Sequence, residues 1–390
     1  MRVLYIHQYF RRPEEGGSLR SYYLAKELVD NGFSVTMITA HNQKHRARKL
    51  VEGIDVIYLP VAYSNEMNFS TRSKAFIKFM ILATKESFSH RKIDLCYVMT
   101  TPLSTGVVAL FNKFLFGRPY IFEVGDLWPT VPIEMGLLEA RWKQKLLTWL
   151  EGVFYRHARG LVGLSESISN HLQLIAPNIP VQTVTNVSDC VRFEFVSKKD
   201  NWIEKYDVKD QFVISYTGTF GLANDLSHWV NFAKAVQQLP IKFLMVGEGA
   251  EKKMVEKQAR DLELTNIQFY EPMNKSQILE VINISDAMII SFASFKSLHT
   301  GSPNKFFDAL AAGKLVVTNF DGWIGELIES ESCGFVANSA EDFARKIPPF
   351  LRQTDLLKTC QENSRRLAEE RFDLKIQSKK QQDFIRQLFN

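Results

Sequence analysis

Cysteine is scarce. Four occur in 390 residues, at 96, 190, 333 and 360, and none forms a Cys-x-x-Cys pair. So few thiols exclude a disulfide scaffold and a zinc ribbon, and they fit a reducing compartment. Long apolar runs are missing too: the longest stretch, near 105–117, is broken by Asn112 and Lys113, short of the ~18 residues a membrane span requires. The apolar run at 3–6 turns polar at His7 and Gln8, too short for a secretory signal. A cytoplasmic chain is expected. No Gly-x-Gly-x-x-Gly is present, which weighs against a dinucleotide dehydrogenase. Neither is there an Asp-x-Asp pair or a Gly-x-Ser-x-Gly elbow, so metal-dependent transfer and serine hydrolysis lack their signatures. Basic residues do not interleave with aromatics in any nucleic-acid motif, and no nucleic-acid partner is expected.

What the chain does have is an ordinary globular composition, 45% hydrophobic and 23% charged. At roughly 150 residues per domain, the length allows two or three domains. The net charge of +5 is unevenly placed. Residues 1–190 hold 22 Lys and Arg against 16 Asp and Glu, so the positive excess lies in the first half. Such a half suits an anionic partner, a phosphorylated substrate or an acidic membrane face.

Short runs rich in Val, Ile, Leu and aromatics alternate with helical patterns along the chain. In the first half they fall at 3–7, 35–39, 56–60, 95–99, 120–124 and 161–164, and in the second at 212–217, 242–246, 267–269, 287–291 and 315–318. Continuous apolar strands separated by helices indicate parallel sheets covered on both faces. The fold class expected is therefore α/β, with two Rossmann-like domains in series. Periodicity is lost near 187–210. This divides the chain into a domain at 1–190, a domain at 205–370 and a terminal helix at 371–390, which is expected to cross back to the first domain.

In doubly wound folds, ligands bind beyond the carboxyl ends of strands. The first such loop ends at Gly16 and Gly17, with Ser18 as a candidate N-cap for a helix whose Leu24, Ala25, Leu28 and Val29 face a core. Paired glycines admit a ligand close to backbone, or form a simple turn. In the second half, Gly218, Thr219 and Gly221 follow one strand, and Gly247 and Gly249 follow the next. The sharpest local signal is the run from Thr300 to Gly313. Ser302 suits an N-cap, Pro303 the first helical position and Gly313 the stop. Gly301, Ser302 and Asn304 lie where free N–H groups would meet an anion. Lys305 stands in the first turn, where a cation opposes the helix dipole unless an anion is bound there. Asp308 follows one turn after Asn304, within reach of hydroxyls beside a phosphate.

In this order and spacing the residues resemble the family 4 glycosyltransferases of the glycosyltransferase-B fold, in particular the bacterial branch that builds O-antigen, capsule and other surface polysaccharides. The markers are Gly16-Gly17, Leu24-Ala25-Lys26-Glu27-Leu28, Asp126-Leu127-Trp128-Pro129, Ser165-Glu166, Asn186 with Asp189, Gly247-Glu248-Gly249 and Ser302-Pro303-Asn304-Lys305-Phe306-Phe307-Asp308. The resemblance implies that two domains face each other across a cleft, the second holding a UDP- or GDP-sugar and the first holding a lipid-diphosphate-linked saccharide. It places Asp308 where the family has a glutamate binding the ribose. Thr300 and Gly125 stand where many members have a glutamate and a histidine against the donor sugar. Glu123 and Asp126 are then the carboxylates available to an acceptor hydroxyl, and Lys305 is the diphosphate cation. Retention of configuration without a metal or cofactor is implied as well. A nucleotide-sugar epimerase of similar fold and a non-catalytic homologue remain alternatives.

Two helical patterns bear on location. At 73–88, Phe76, Phe79, Met80 and Ala83 form a face with Lys74, Lys78 and Lys85 around it; at 142–157, Trp142, Leu146, Trp149, Leu150 and Val153 form a stripe bordered by Lys143, Lys145 and Arg156. Each reads as a core helix with a solvated rim, or as a surface resting peripherally on the anionic inner face of the cell membrane.

Overall fold

The apolar runs pair as strands in two separate sheets. The computed structural model of the chain describes residues 1–15, 19–64, 67, 69–194 and 198–389. The first sheet contains β1 (Arg2–Ile6), β2 (Ser34–His41), β3 (Ala47–Val51), β4 (Ile54–Pro60), β5 (Leu95–Met99), β6 (Tyr120–Val124), β7 (Gly160–Gly163) and β8 (Val181–Thr183). Their order is β3-β4-β2-β1-β5-β6-β7-β8, parallel except for β3 on β4. The second contains β9 (Phe212–Thr217), β10 (Ile241–Val246), β11 (Ile267–Tyr270), β12 (Ala287–Ile290), β13 (Leu315–Thr318) and β14 (Gly334–Val336), in the order β11-β10-β9-β12-β13-β14 and parallel throughout. The expected α/β architecture of two parallel-sheet domains is thus what the chain forms. The sequence reading missed β3, β8 and β14. All three are edge strands; β3 and β8 are half-exposed or more, and β14 is a three-residue strand opening on a glycine, so none presents a continuous apolar run.

In the first unit the helices are α1 (Arg20–Asp30), α2 (Phe69–Ser87), α3 (Thr105–Phe116), α4 (Thr130–Glu134), α5 (Arg141–Arg156) and α6 (Glu166–Ile175). The second unit carries α7 (Asp200–Tyr206), α8 (Ser227–Ala235), α9 (Lys252–Asp261), α10 (Lys275–Ile284), α11 (Asn304–Ala311), α12 (Trp323–Ser330), α13 (Ala340–Lys346), α14 (Pro348–Arg352) and α15 (Thr354–Leu367). A π-helical turn at Ala368–Phe372 leads into α16 (Leu374–Phe389). Contacts group residues Met1–Asn186, Thr300–Ser302 and the chain from Leu374 as one compact unit, and Val187–His299 with Pro303–Asp373 as the other.

Each sheet supports its own core, where burying one Val, Leu or Ile contributes roughly 1.5–3 kcal/mol. Within the first unit, α16 packs on α1 and adds Phe384, Ile385 and Leu388 to the core. A Cβ on Gly160 would come within 2.5 Å of Leu388, so β7 takes glycine where α16 lies against it. The amide of Thr185 donates to the Gln377 side chain at 3.0 Å, fixing the same helix at its start. On the opposite side, α2 packs on α3, α3 on α5 and α5 on α6. Among the described residues no helix is long and apolar enough to cross a membrane.

Candidate functional site

In the second unit, the loops after β9 and β10 are joined backbone to backbone. Gly218 N donates to Val246 O at 2.9 Å and Phe220 N to Glu248 O at 2.8 Å. This closeness requires glycine: a Cβ on Gly247 would lie 1.8 Å from Gly218 O, and one on Gly249 2.2 Å from Phe220 O. Both have positive φ, at 145° and 152°. Beside this floor stands Lys305, whose Nζ donates to the Tyr216 hydroxyl at 2.9 Å and lies 4.3 Å from that ring's centroid. The same hydroxyl donates to Thr219 O at 2.8 Å. Gly218 leaves room for the ammonium, since a Cβ there would stand 3.1 Å from Nζ. Burial lowers the Lys305 pKa to about 8, opposed by the charge of Asp308. The lysine that should oppose its helix dipole thus rests on an aromatic face. Thr219 and Asn304 are exposed, Gly221 and Asp308 half-buried.

The helix that presents Lys305 begins one residue later than the sequence indicates. Pro303 is the N-cap of α11, Asn304 is its first residue, and no side chain caps it. Ser302 is engaged elsewhere: its carbonyl accepts from Asn186 Nδ2, and its hydroxyl lies 3.4 Å from Asn186 N. Gly301 and Ser302 group with the first unit, and the Thr300 carbonyl accepts from Ser165 Oγ at 2.6 Å. Phe306, Phe307, Ala309 and Leu310 bury one face of α11, and Gly313 follows its end at φ 59°.

In the first unit the ends of β5 and β6 bring together Thr100, Thr101, Gly125 and Asp126. Gly125 N donates to Thr100 Oγ1 at 3.1 Å, and Thr101 Oγ1 donates to Asp126 at 3.5 Å. Thr101 has φ 68°, an uncommon value for a β-branched residue and one that clusters at functional sites. Loss of water around its carboxyl raises the pKa of Asp126 and the Thr101 bond lowers it; because the residue is exposed, water limits that rise. Beneath lies a charged pair. Arg20 donates from Nε to Glu123 Oε1 at 2.8 Å and from Nη2 to Oε2 at 3.2 Å, while Tyr97 donates its hydroxyl to Oε2. Arg20 also holds the carbonyls of Val184 and Thr185. Burial works against its charge, but Glu123 more than offsets this and keeps its pKa raised. Glu123 is fully buried with both oxygens engaged, which corrects its expected place as a carboxylate open to an acceptor. Close by, burial and then Arg20 push His7 down to about 3, so it stays neutral beside Ser21.

Gly16, Gly17 and the expected cap Ser18 lie outside the described residues. Two functional side chains escaped the sequence reading. Arg20 stands four and eight residues before Leu24 and Leu28 on the buried face of α1, and a charge on an apolar stripe was the available signal. Tyr216 carried none, being one aromatic in an apolar strand. No cluster of His, Cys, Asp or Glu that could hold a metal occurs among the described residues.

Comparison with known proteins gives two family matches, Glycosyl transferase 4-like domain over residues 15–186 and Glycosyl transferases group 1 over residues 198–367. The chain is 25% identical over 152 residues to WcaI of Escherichia coli (strain K12), assigned as a colanic acid biosynthesis glycosyl transferase. That match spans 37% of this chain and 37% of WcaI. Among solved structures, sucrose-phosphate synthase from Thermosynechococcus elongatus aligns with a TM-score of 0.78 at 15% identity, covering 100% of this chain and 99% of that one. WaaG, a glycosyltransferase involved in lipopolysaccharide biosynthesis, aligns at 0.69 and 16% identity over 99% of both chains. Anabaena HepE in complex with UDP-glucose aligns at 0.69 and 15% over 99% of this chain and 100% of its own. At these identities the likeness is one of fold.

Proposed function

The chain belongs to the family 4 glycosyltransferases of GT-B type, and from that premise we propose that it moves a sugar from a UDP- or GDP-sugar to a hydroxyl of a lipid-diphosphate-linked saccharide. The observation that carries the reading is Lys305, a desolvated cation held over Tyr216 beside a glycine floor and an uncapped helix start. When the bond from the sugar's anomeric carbon to the diphosphate breaks, its electrons leave on the nucleoside diphosphate. In this reading Lys305 and the N–H groups of α11 meet that charge without a metal. Gly218, Thr219, Gly221, Gly247 and Gly249 give the donor a close approach to backbone, the N–H of Asn304 meets its diphosphate, and Asp308 binds its ribose hydroxyls. Asp126 accepts the proton of the acceptor hydroxyl as that oxygen bonds to the sugar. Glu123 acts through Arg20 as a positioning group. Retention of configuration completes the reading.

The relatives support its finer parts. HepE is described with UDP-glucose, WaaG with lipopolysaccharide biosynthesis and WcaI with colanic acid; a surface polysaccharide, such as an O-antigen or capsule, built at the membrane's inner face is the matching role. The test is incubation of the purified protein with labelled UDP- and GDP-sugars and a polyprenyl-diphosphate saccharide. Label should enter the lipid phase from one donor, and donor alone should undergo only slow hydrolysis. Epimerised donor, or no transfer from any donor, would overturn the reading.

A further inference from the structure

The outer surface of α2, α3 and α5 carries large apolar side chains where a solvated rim belongs. On α5, Trp142 is 65% and Trp149 60% exposed, with Leu146 between them; the spacing of four and three residues puts all three on one face. Of the stripe that sequence left open between core and membrane surface, these three point outward, while Leu150 packs on the core that Phe154 and Tyr155 enter. On α3, Phe114 is 64% exposed and Phe111 and Leu115 accompany it; on α2, Ile77 and Ile81 are exposed, and Phe88 follows just beyond the helix. Ring contacts join the three stripes. Phe88 meets Phe116 with centroids 4.9 Å apart, and Phe114 meets His157, at the end of α5, at 5.5 Å. A groove of about 280 Å³ on α2 is floored by Ile77, Ile81 and Leu82 and rimmed by Lys74 and Lys78.

Charge on this surface has one sign. The three helices hold nine Lys and Arg against two acidic residues. Glu86 is held by Arg46 at 2.7 Å, and Glu151 is buried, accepting from Tyr155. The exposed charges are therefore Lys74, Lys78, Lys85, Arg141, Lys143, Lys145 and Arg156.

We propose that this face docks on an anionic phospholipid bilayer, with Trp142, Trp149 and Phe114 at headgroup level and the lysines on lipid phosphates. Soluble proteins seldom leave a joined apolar patch of this kind in water. Protein interfaces are depleted in lysine at their centres, whereas here lysines alternate with the apolar groups, the composition of an interfacial membrane surface. Its purpose rests on the lipid-linked-acceptor reading; its test does not, because the vesicles contain neither acceptor nor donor.

The test is flotation of the full chain with vesicles of phosphatidylglycerol mixed with phosphatidylcholine, and with phosphatidylcholine alone. Binding should require the anionic lipid and weaken as salt rises. Lys143→Glu with Lys145→Glu should weaken it by about tenfold or more, and Trp142→Ser with Trp149→Ser should weaken it too, both at unchanged thermal stability. Binding that ignores these changes, or none at all, overturns the proposal. So does lipid-free self-association that the same variants abolish, since a second copy would then be the occupant. Transfer to a short-chain, water-soluble acceptor should survive in both variants; no such transfer by the wild type, with its own vesicle binding intact, would count against the catalytic reading alone.

Discussion

The carboxyl ends of β5 and β6 in the first unit and of β9 and β10 in the second are shaped by different forces. In the first, charge is spent inward: Arg20 and Glu123 neutralise each other beneath the surface, which leaves Asp126 as the carboxylate at the rim. In the second, the floor is closed by backbone rather than by a buried ion pair: its Lys252–Glu271 pair, at 2.7 Å, is formed with a Glu271 that is 84% exposed. Gly218, Gly247 and Gly249 bring backbone against backbone, and Lys305 keeps its charge over an aromatic face and beside a hydroxyl, helped by the charge of Asp308. A buried pair gives rigidity without reactivity, whereas a desolvated lysine on a tyrosine is costly until an anion arrives.

The comparison can be broken from either side. The largest effect is expected at Gly247, where even a methyl would stand 1.8 Å from Gly218 O. Gly247→Ala should destabilise the second unit by about 4 kcal/mol or more, at the exceptional end for one substitution, read as a drop in thermal unfolding temperature with loss of donor binding. Next comes the buried pair. Glu123→Gln leaves Arg20 uncompensated and should cost about 3–5 kcal/mol in denaturant unfolding, much of it recovered when Arg20→Met accompanies Glu123→Leu. Lys305→Ala should leave folding intact and remove about 2–4 kcal/mol of transition-state stabilisation, measured as kcat/KM for the donor. Asp308→Ala should weaken nucleoside diphosphate binding by about 1.5–3 kcal/mol. Because the ribose does not change during transfer, that loss should raise KM more than it lowers kcat.

The sheets were legible because their central strands are fully apolar: β5 and β6 coincide with the runs read at 95–99 and 120–124. The edges were not. In β3 the residues Arg48 and Lys49 face solvent, and such a strand has no core signature to read. In the candidate site, the motif around Lys305 stood out because Pro and Gly bracket it, but its partner Tyr216 did not, since an aromatic in a buried strand has many reasons to be there. Periodicity found α5 and its apolar stripe yet could not say which way the stripe points. Helical spacing gives a face, and only packing against neighbours decides whether it meets core or water.

In the proposed function Lys305 is the cation that meets the donor diphosphate. With a pKa lowered to about 8, it is charged below that value and neutral above it. The most direct measurement is calorimetric titration of UDP and GDP into the wild type and Lys305→Ala from about pH 7 to about pH 9.5, where the account requires affinity to fall as the lysine loses its proton. Wild-type affinity for the preferred nucleotide should drop as pH rises through and past about 8, and the variant should bind more weakly near neutrality without that drop. Equal affinity in the two proteins, or a wild-type profile flat across the range, would contradict it.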